Sequence, residues 1–141
     1  MRGGGLEAQT GSVTTPNAGA ASLRLLIADD RPRTRRALRA LLAAHPGFEV
    51  VGEAADGEEA LAGVERLCPD LVVLDVRMPR LDGIEATARI KTRWPTVRVV
   101  AHSLAVERRA DALAAGADAF VPKGAPGEEL LGALRAAHGA R

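Results

Sequence analysis

Several polar residues stand where short apolar runs stop. Leu23 to Ala28 gives way to Asp29-Asp30, Leu71 to Leu74 to Asp75, Val97 to Ala101 to His102-Ser103, and Ala119 to Val121 to Pro122-Lys123. Two unscreened carboxylates about 4 Å apart repel by roughly 4 kcal/mol at an effective dielectric of about 20, so a cluster of them needs a cation or must take up protons. Hard oxygen ligands select Mg²⁺, which keeps several waters and binds through one or two carboxylates plus a substrate phosphate. A carboxylate nucleophile, a metal, a lysine and a hydroxyl suit phosphoryl transfer, where catalysis is mainly positioning and charge neutralisation. In that chemistry Asp75 attacks, the metal and Lys123 hold the phosphoryl oxygens, and Ser103 hydrogen-bonds one of them.

These residues can meet only if the chain folds as an alternating α/β unit. Leu71 to Leu74 is apolar throughout and rich in Val, which reads as a strand buried on both faces with Asp75 at its C-terminal edge. Met78-Pro79 and Asp82-Gly83 then break the backbone, hanging a loop over that edge. Strands are expected at 23–28, 48–53, 71–74, 97–101 and 119–121. Helices are expected from about Pro32, from Asp56-Gly57, over Ile84 to Arg93, over Glu107 to Ala115 and over Pro126 to His138. Alternation with short loops calls for right-handed crossovers and a doubly wound parallel sheet. The order 2-1-3-4-5 places the C-terminal ends of strands one, three, four and five side by side, at the edge where open α/β sheets bind ligands. Asp70, at the opposite end of strand three, reads as an ordinary turn residue.

The 141 residues hold one domain of ordinary size, and 19 basic against 18 acidic side chains disfavour bulk binding to nucleic acid or membrane surfaces. Residues 1–22, rich in Gly, Ala, Thr and Ser, read as a disordered tail; residues 23–138 form the domain, and 139–141 the C-terminal end. No secretory signal or membrane span is evident, so a cytoplasmic setting is expected. The single cysteine, Cys68, is expected as a small core hydrophobe. The basic run Arg31, Arg33, Arg35, Arg36 and Arg39 is expected to be a solvated helix face. His45, His102 and His138 lack partners at metal-ligand spacing, which makes zinc improbable.

Jointly these residues resemble one family, the receiver domain of two-component response regulators. The resemblance covers about Leu23 to His138 and rests on Asp29-Asp30, Asp75 followed by Met78-Pro79 and Asp82-Gly83, Ser103, Gly116-Ala117-Asp118, Phe120 and Lys123. It implies a flavodoxin-like receiver fold with Asp75 as phosphoacceptor. It further implies that Asp30, Asp75 and the backbone carbonyl of Arg77 bind Mg²⁺, that Asp29 supports the metal, and that Lys123 contacts the phosphoryl group. Ser103 and Phe120 match the family's switch positions. A histidine kinase or histidine phosphotransfer protein is the implied donor. A downstream protein or a second copy would dock on the helix 4–strand 5–helix 5 face. The segment from Ser103 to Lys123 is about two residues shorter than the commonest family form, and Gly124 rather than Pro follows the lysine.

Taken singly, each feature has a plainer reading: Asp29-Asp30 as a helix cap, Asp75 as a turn carboxylate, Phe120 as core. Two other functions share part of this pattern. A haloacid-dehalogenase-like phosphohydrolase also uses an Asp nucleophile and Mg²⁺, but wants a second Asp where Arg77 stands. A phosphorylation-independent interaction domain would keep the site residues without turnover. The expected protein is a signalling phosphoacceptor, not an enzyme beyond its own phosphorylation and dephosphorylation. No direct nucleic-acid binding is expected of this chain.

Overall fold

The computed structural model describes residues 22–139; the expected tail therefore falls, but for Ser22, outside the described residues, as do residues 140–141. In chain order the elements are β1 (Leu23–Ala28), α1 (Pro32–Ala43), β2 (Phe48–Ala54), α2 (Gly57–Leu67), β3 (Leu71–Leu74), α3 (Gly83–Arg93), β4 (Arg98–Ser103), a 3₁₀ turn (Val106–Arg108), α4 (Arg109–Ala114), β5 (Ala119–Pro122) and α5 (Gly127–Gly139). The strands form one parallel sheet in the order β2-β1-β3-β4-β5. This is the doubly wound parallel order expected from the alternating pattern.

Alternation along each strand divides the core between two faces. Leu26, Ala28, Val72, Leu74, Val99 and Ala101 pack with Val64 of α2, Ile90 of α3 and Ala112 of α4. Leu25, Ile27, Leu71, Val73, Val100 and Val121 pack with Leu38 and Leu42 of α1 and Leu130 and Leu134 of α5. β3 is fully buried, as an apolar central strand must be when helices cover both sides.

Both Asp-Gly pairs start helices. Asp56 accepts a hydrogen bond from Glu59 N at 2.8 Å, and Asp82 accepts one from Glu85 N at 3.0 Å, so each carboxylate caps orphan amides of a first turn. Pro32 opens α1, where its missing N–H has no intrahelical partner to lose.

Several expectations need correction. Cys68 is exposed, because it is the left-handed C-cap of α2 with φ 50°, which turns its side chain away from the apolar stripe that Val64 serves. Helix four begins later than Glu107: residues 106–108 wind as a 3₁₀ turn and only Arg109–Ala114 is α-helical. The basic run is solvated only in part, since Arg35 and Arg39 both pair with Glu53 of β2 and Arg35 Nη1 donates to the Asp29 carbonyl at 2.6 Å. Asp70 is more than a turn residue. Its carboxylate accepts from Arg24 N at 2.8 Å, and its own N–H donates to Arg24 O at 2.8 Å, tying β1 to the start of β3.

Candidate functional site

Strand register brings the polar residues together. Ala28 lies opposite Leu74, so Asp29 and Asp75 leave adjacent strands at the same level, and Asp75 N donates to Ala28 O at 3.0 Å. Leu74 lies opposite Ala101, and Ser103 opposite Pro122, which sets Ser103 and Lys123 at the same rim. A backbone bond from Lys123 N to Ser103 O, 3.0 Å, holds the last strand in register.

At that rim Lys123 Nζ lies 2.8 Å from both Asp29 Oδ2 and Asp75 Oδ2. The side chains are 10% exposed for Lys123, 2% for Asp29 and 7% for Asp75, so the ion pairs are shielded from solvent screening. Burial disfavours the charge on Lys123, but hydrogen bonds and Coulombic attraction from Asp29 and Asp75 outweigh it and hold its pKa above the ordinary lysine value. Asp30 is exposed beside them. Oxygens of Asp29, Asp30 and Asp75 lie within 4.8 Å of one another, a cluster able to hold a metal ion. Against those three carboxylates stands one ammonium, which leaves two negative charges, the charge of a divalent cation's counterpart. Among the described residues the buried Asp29 Oδ2 meets only the Lys123 ammonium, so the donor set retains ligating capacity for a hard cation.

The loop after β3 is fixed by close backbone approach. Asp75 Oδ1 accepts from Arg77 N at 3.2 Å, and Gly83 N donates to Val76 O at 2.8 Å. A Cβ on Gly83 would stand 1.9 Å from the Asp75 carbonyl oxygen, so only glycine fits there. Arg80 takes a left-handed conformation, φ 67°, and its Nε donates to the buried Asp56 Oδ2 at 2.8 Å.

A cavity of about 310 Å³ opens over this rim, lined by Asp30, Asp75, Ser103 and Lys123 and edged by Arg31, Arg77 and Glu107. Ser103 is 1% exposed; its Oγ accepts from Ala105 N at 3.1 Å, which leaves its own hydroxyl proton uncommitted. Phe120 does not reach the cavity. It is buried on the opposite face of β5 with Ala101, Ala105, Ala112 and Ala117.

Two features of the site go beyond the sequence reading. Glu107 closes an ion pair with Arg77 across the cavity edge, a contact 30 positions apart that no spacing rule anticipates. His102 shares the sheet face of Val100, and its Nδ1 is buried without a partner. Burial first, then Lys123, push the His102 pKa below the ordinary histidine value, against the opposing pull of Asp29 and Asp75.

The family model for the response regulator receiver domain matches residues 25–135. A protein-glutamate methylesterase/protein-glutamine glutaminase from Myxococcus xanthus is 47% identical over 104 residues, 72% of this chain but 30% of that protein. The response regulator domain of CheB from Thermotoga maritima superposes with a TM-score of 0.78 at 32% identity, covering 85% of this chain and 98% of that one. The CheX-CheY-BeF3-Mg+2 complex from Borrelia burgdorferi gives a TM-score of 0.78 at 29% identity, covering 84% of this chain and 90% of that one. This chain thus spans less than a third of the length of the M. xanthus relative. Among the described residues no helix is long and apolar enough to cross a membrane.

Proposed function

This chain belongs to the response regulator receiver family of two-component systems, and from that premise we propose that it accepts a phosphoryl group on Asp75. The observation that carries the reading is the position of Asp75: a nearly buried carboxylate at the end of the central strand, paired with Lys123, beneath a cavity that also holds Asp30 and Ser103. The donor is a phosphohistidine on a histidine kinase or phosphotransfer protein. A carboxylate oxygen of Asp75 attacks phosphorus, the P–N bond breaks, and the leaving imidazole keeps the bonding electron pair.

Each neighbouring residue has a part. The Lys123 ammonium has three protons, and its two carboxylate neighbours leave one for a phosphoryl oxygen. The Ser103 hydroxyl supplies a second donor, one that gains strength once its acceptor is charged. Arg77 N, already on Asp75 Oδ1, fixes the carboxylate's rotation. Asp30, Asp75 and the Arg77 carbonyl would hold Mg²⁺, with Asp29 supporting it. When bound, the ion neutralises charge on the transferring group and on the acidic cluster. The Borrelia burgdorferi neighbour is a complex that contains BeF3, a phosphoryl mimic, and Mg+2.

Output is a change in the face of α4, β5 and α5. Leu113 of α4, and Leu104 and Val106 in the segment that leads into it, are exposed apolar side chains suited to a downstream protein or a second copy. Ser103 drawn toward the phosphoryl group and Phe120 repacking behind it would couple the site to this face. The protein works in the cytoplasm, without direct nucleic-acid contact from this chain, and with no catalysis beyond its own phosphorylation and dephosphorylation.

Intact-mass measurement with acetyl phosphate and Mg²⁺ tests the reading. One added phosphoryl group is expected on the wild type and none on Asp75→Asn, which keeps the shape without the nucleophilic charge. Equal labelling of both proteins would sink the assignment.

A further inference from the structure

Arg77 joins the loop after β3 to the 3₁₀ turn before α4. Its backbone N–H holds Asp75 Oδ1, while its guanidinium Nη2 pairs with Glu107 Oε2 in the 3₁₀ turn before α4. Both side chains edge the cavity that contains Asp75, Ser103 and Lys123. They are 65% and 59% exposed, so water screens the pair and a stronger acceptor nearby can displace Glu107.

Phosphorylation would supply that acceptor. A phosphoryl group has a charge of about −1.5 to −2 and three strong acceptor oxygens, against the single charge of Glu107. Guanidinium also matches phosphate geometry through two parallel N–H donors, which a lysine or an amide cannot reproduce. Resting on the phosphoacceptor reading above, we propose that Arg77 senses the phosphoryl group, exchanging Glu107 for phosphoryl oxygens and so releasing the 3₁₀ turn that leads into α4. The released turn carries Val106, 55% exposed, and follows Leu104, 62% exposed, in the segment that leads into α4. Glu107 is then a competitor that lowers the site's affinity for the phosphoryl group, and Arg77 is a positioning residue that couples occupancy to the turn. The coupling is limited by how much more strongly Arg77 binds the phosphoryl group than it binds Glu107.

Beryllofluoride with Mg²⁺ serves as the probe, titrated calorimetrically into wild type, Glu107→Gln, Arg77→Ala and the double variant. Removing the competitor should tighten binding roughly two- to fivefold in Glu107→Gln, the range set by an exposed ion pair. The gain should vanish when Arg77 is already alanine. An equal gain in the Arg77→Ala background would assign the effect to simple repulsion between Glu107 and the anion, and would overturn the proposal, as would no gain at all. The Arg77 Nε resonance gives a second reading by NMR. It should move on Glu107→Gln substitution in the free protein and coincide with wild type once beryllofluoride is bound. A difference that persists in the bound state means the pair never exchanges. Wild type that neither gains phosphoryl mass with acetyl phosphate nor binds beryllofluoride refutes the phosphoacceptor reading itself, and this proposal with it.

Discussion

Replacing Gly83 with alanine measures how firmly the loop after β3 holds Asp75. The added Cβ would stand 1.9 Å from the Asp75 carbonyl oxygen and 2.6 Å from Val76 Cα, both backbone atoms that no rotamer change can move aside. Relief therefore requires a backbone shift of about 1 Å at Asp75 or at the start of α3. That shift stretches the 2.8 Å bond from Gly83 N to Val76 O, whose loss costs about 0.5–1.5 kcal/mol. Overpacking strain adds roughly 1–3 kcal/mol. Together they predict a fall in Tm on the order of 10 °C for a domain of this size. The same displacement moves the carboxylate, and misplacement by about 1 Å slows a positioned reaction roughly 100-fold. Thermal unfolding by circular dichroism reads the first effect, and the rate of mass gain with acetyl phosphate the second. Gly132→Ala is the control: nothing lies within 4 Å of its Cβ on α5, so it should gain about 0.5–1 kcal/mol. A Gly83→Ala protein that melts within about 1 °C of wild type and labels at the same rate would refute the close-approach reasoning.

Asp30→Ala should weaken Mg²⁺ binding in a calorimetric titration and raise Tm without metal, because a member of a mutually repelling cluster is gone; unchanged Mg²⁺ dependence would count against Asp30 as a ligand. Ser103→Ala should still take phosphate at Asp75, yet beryllofluoride should no longer change amide exchange across residues 104–130; changes equal to wild type would remove Ser103 from the switch. His102→Gln should flatten the acid limb of stability. The unfolded chain protonates near 6.5 while burial and Lys123 hold the folded imidazole lower. Stability is thus whole above that value and is lost as pH falls toward the folded pKa. Urea midpoints compared at about pH 7 and about pH 5 should differ less for the variant, and an unchanged slope would show that His102 does not carry the effect.

What could be read from the sequence follows a physical division. β3 and β1 were legible because uniform apolar runs ending in Asp have few other structures open to them, and both strand bounds agree with the fold. The gathering of Asp29, Asp30, Asp75, Ser103 and Lys123 followed from sheet order alone, since parallel strands deliver their C-terminal ends to one rim. Cys68 departs from the expected burial because helical periodicity says which side a residue would face if the helix continued, whereas the left-handed cap at φ 50° ends it there. The start of α4 was misread for a related reason. Ala105, Val106 and Glu107 carry no capping residue, and the 3₁₀ turn has no side-chain cap to announce it. Contacts such as Arg77 with Glu107 and Arg80 with Asp56 depend on loop shape, which local pattern does not encode.

The same irregularity gives the receiver an element that is easy to move. α4 has six residues, buries Ala112 alone and is entered through a 3₁₀ turn, whereas α5 has thirteen and buries Leu130, Leu131, Leu134 and Ala137. Local stability follows buried apolar contact, so α4 lies at the low end of the fold and α5 near the top. Coupling between sites is typically about 1–3 kcal/mol, enough to repopulate an element held by a single buried alanine and too little to dislodge a fully packed helix. The acidic cluster adds to this available energy. With two negative charges left unbalanced beside Lys123, the free site is electrostatically unfavourable, and a divalent cation held there would offset that repulsion. A change of charge at the rim would meet in α4 the helix with the least buried apolar contact to give up.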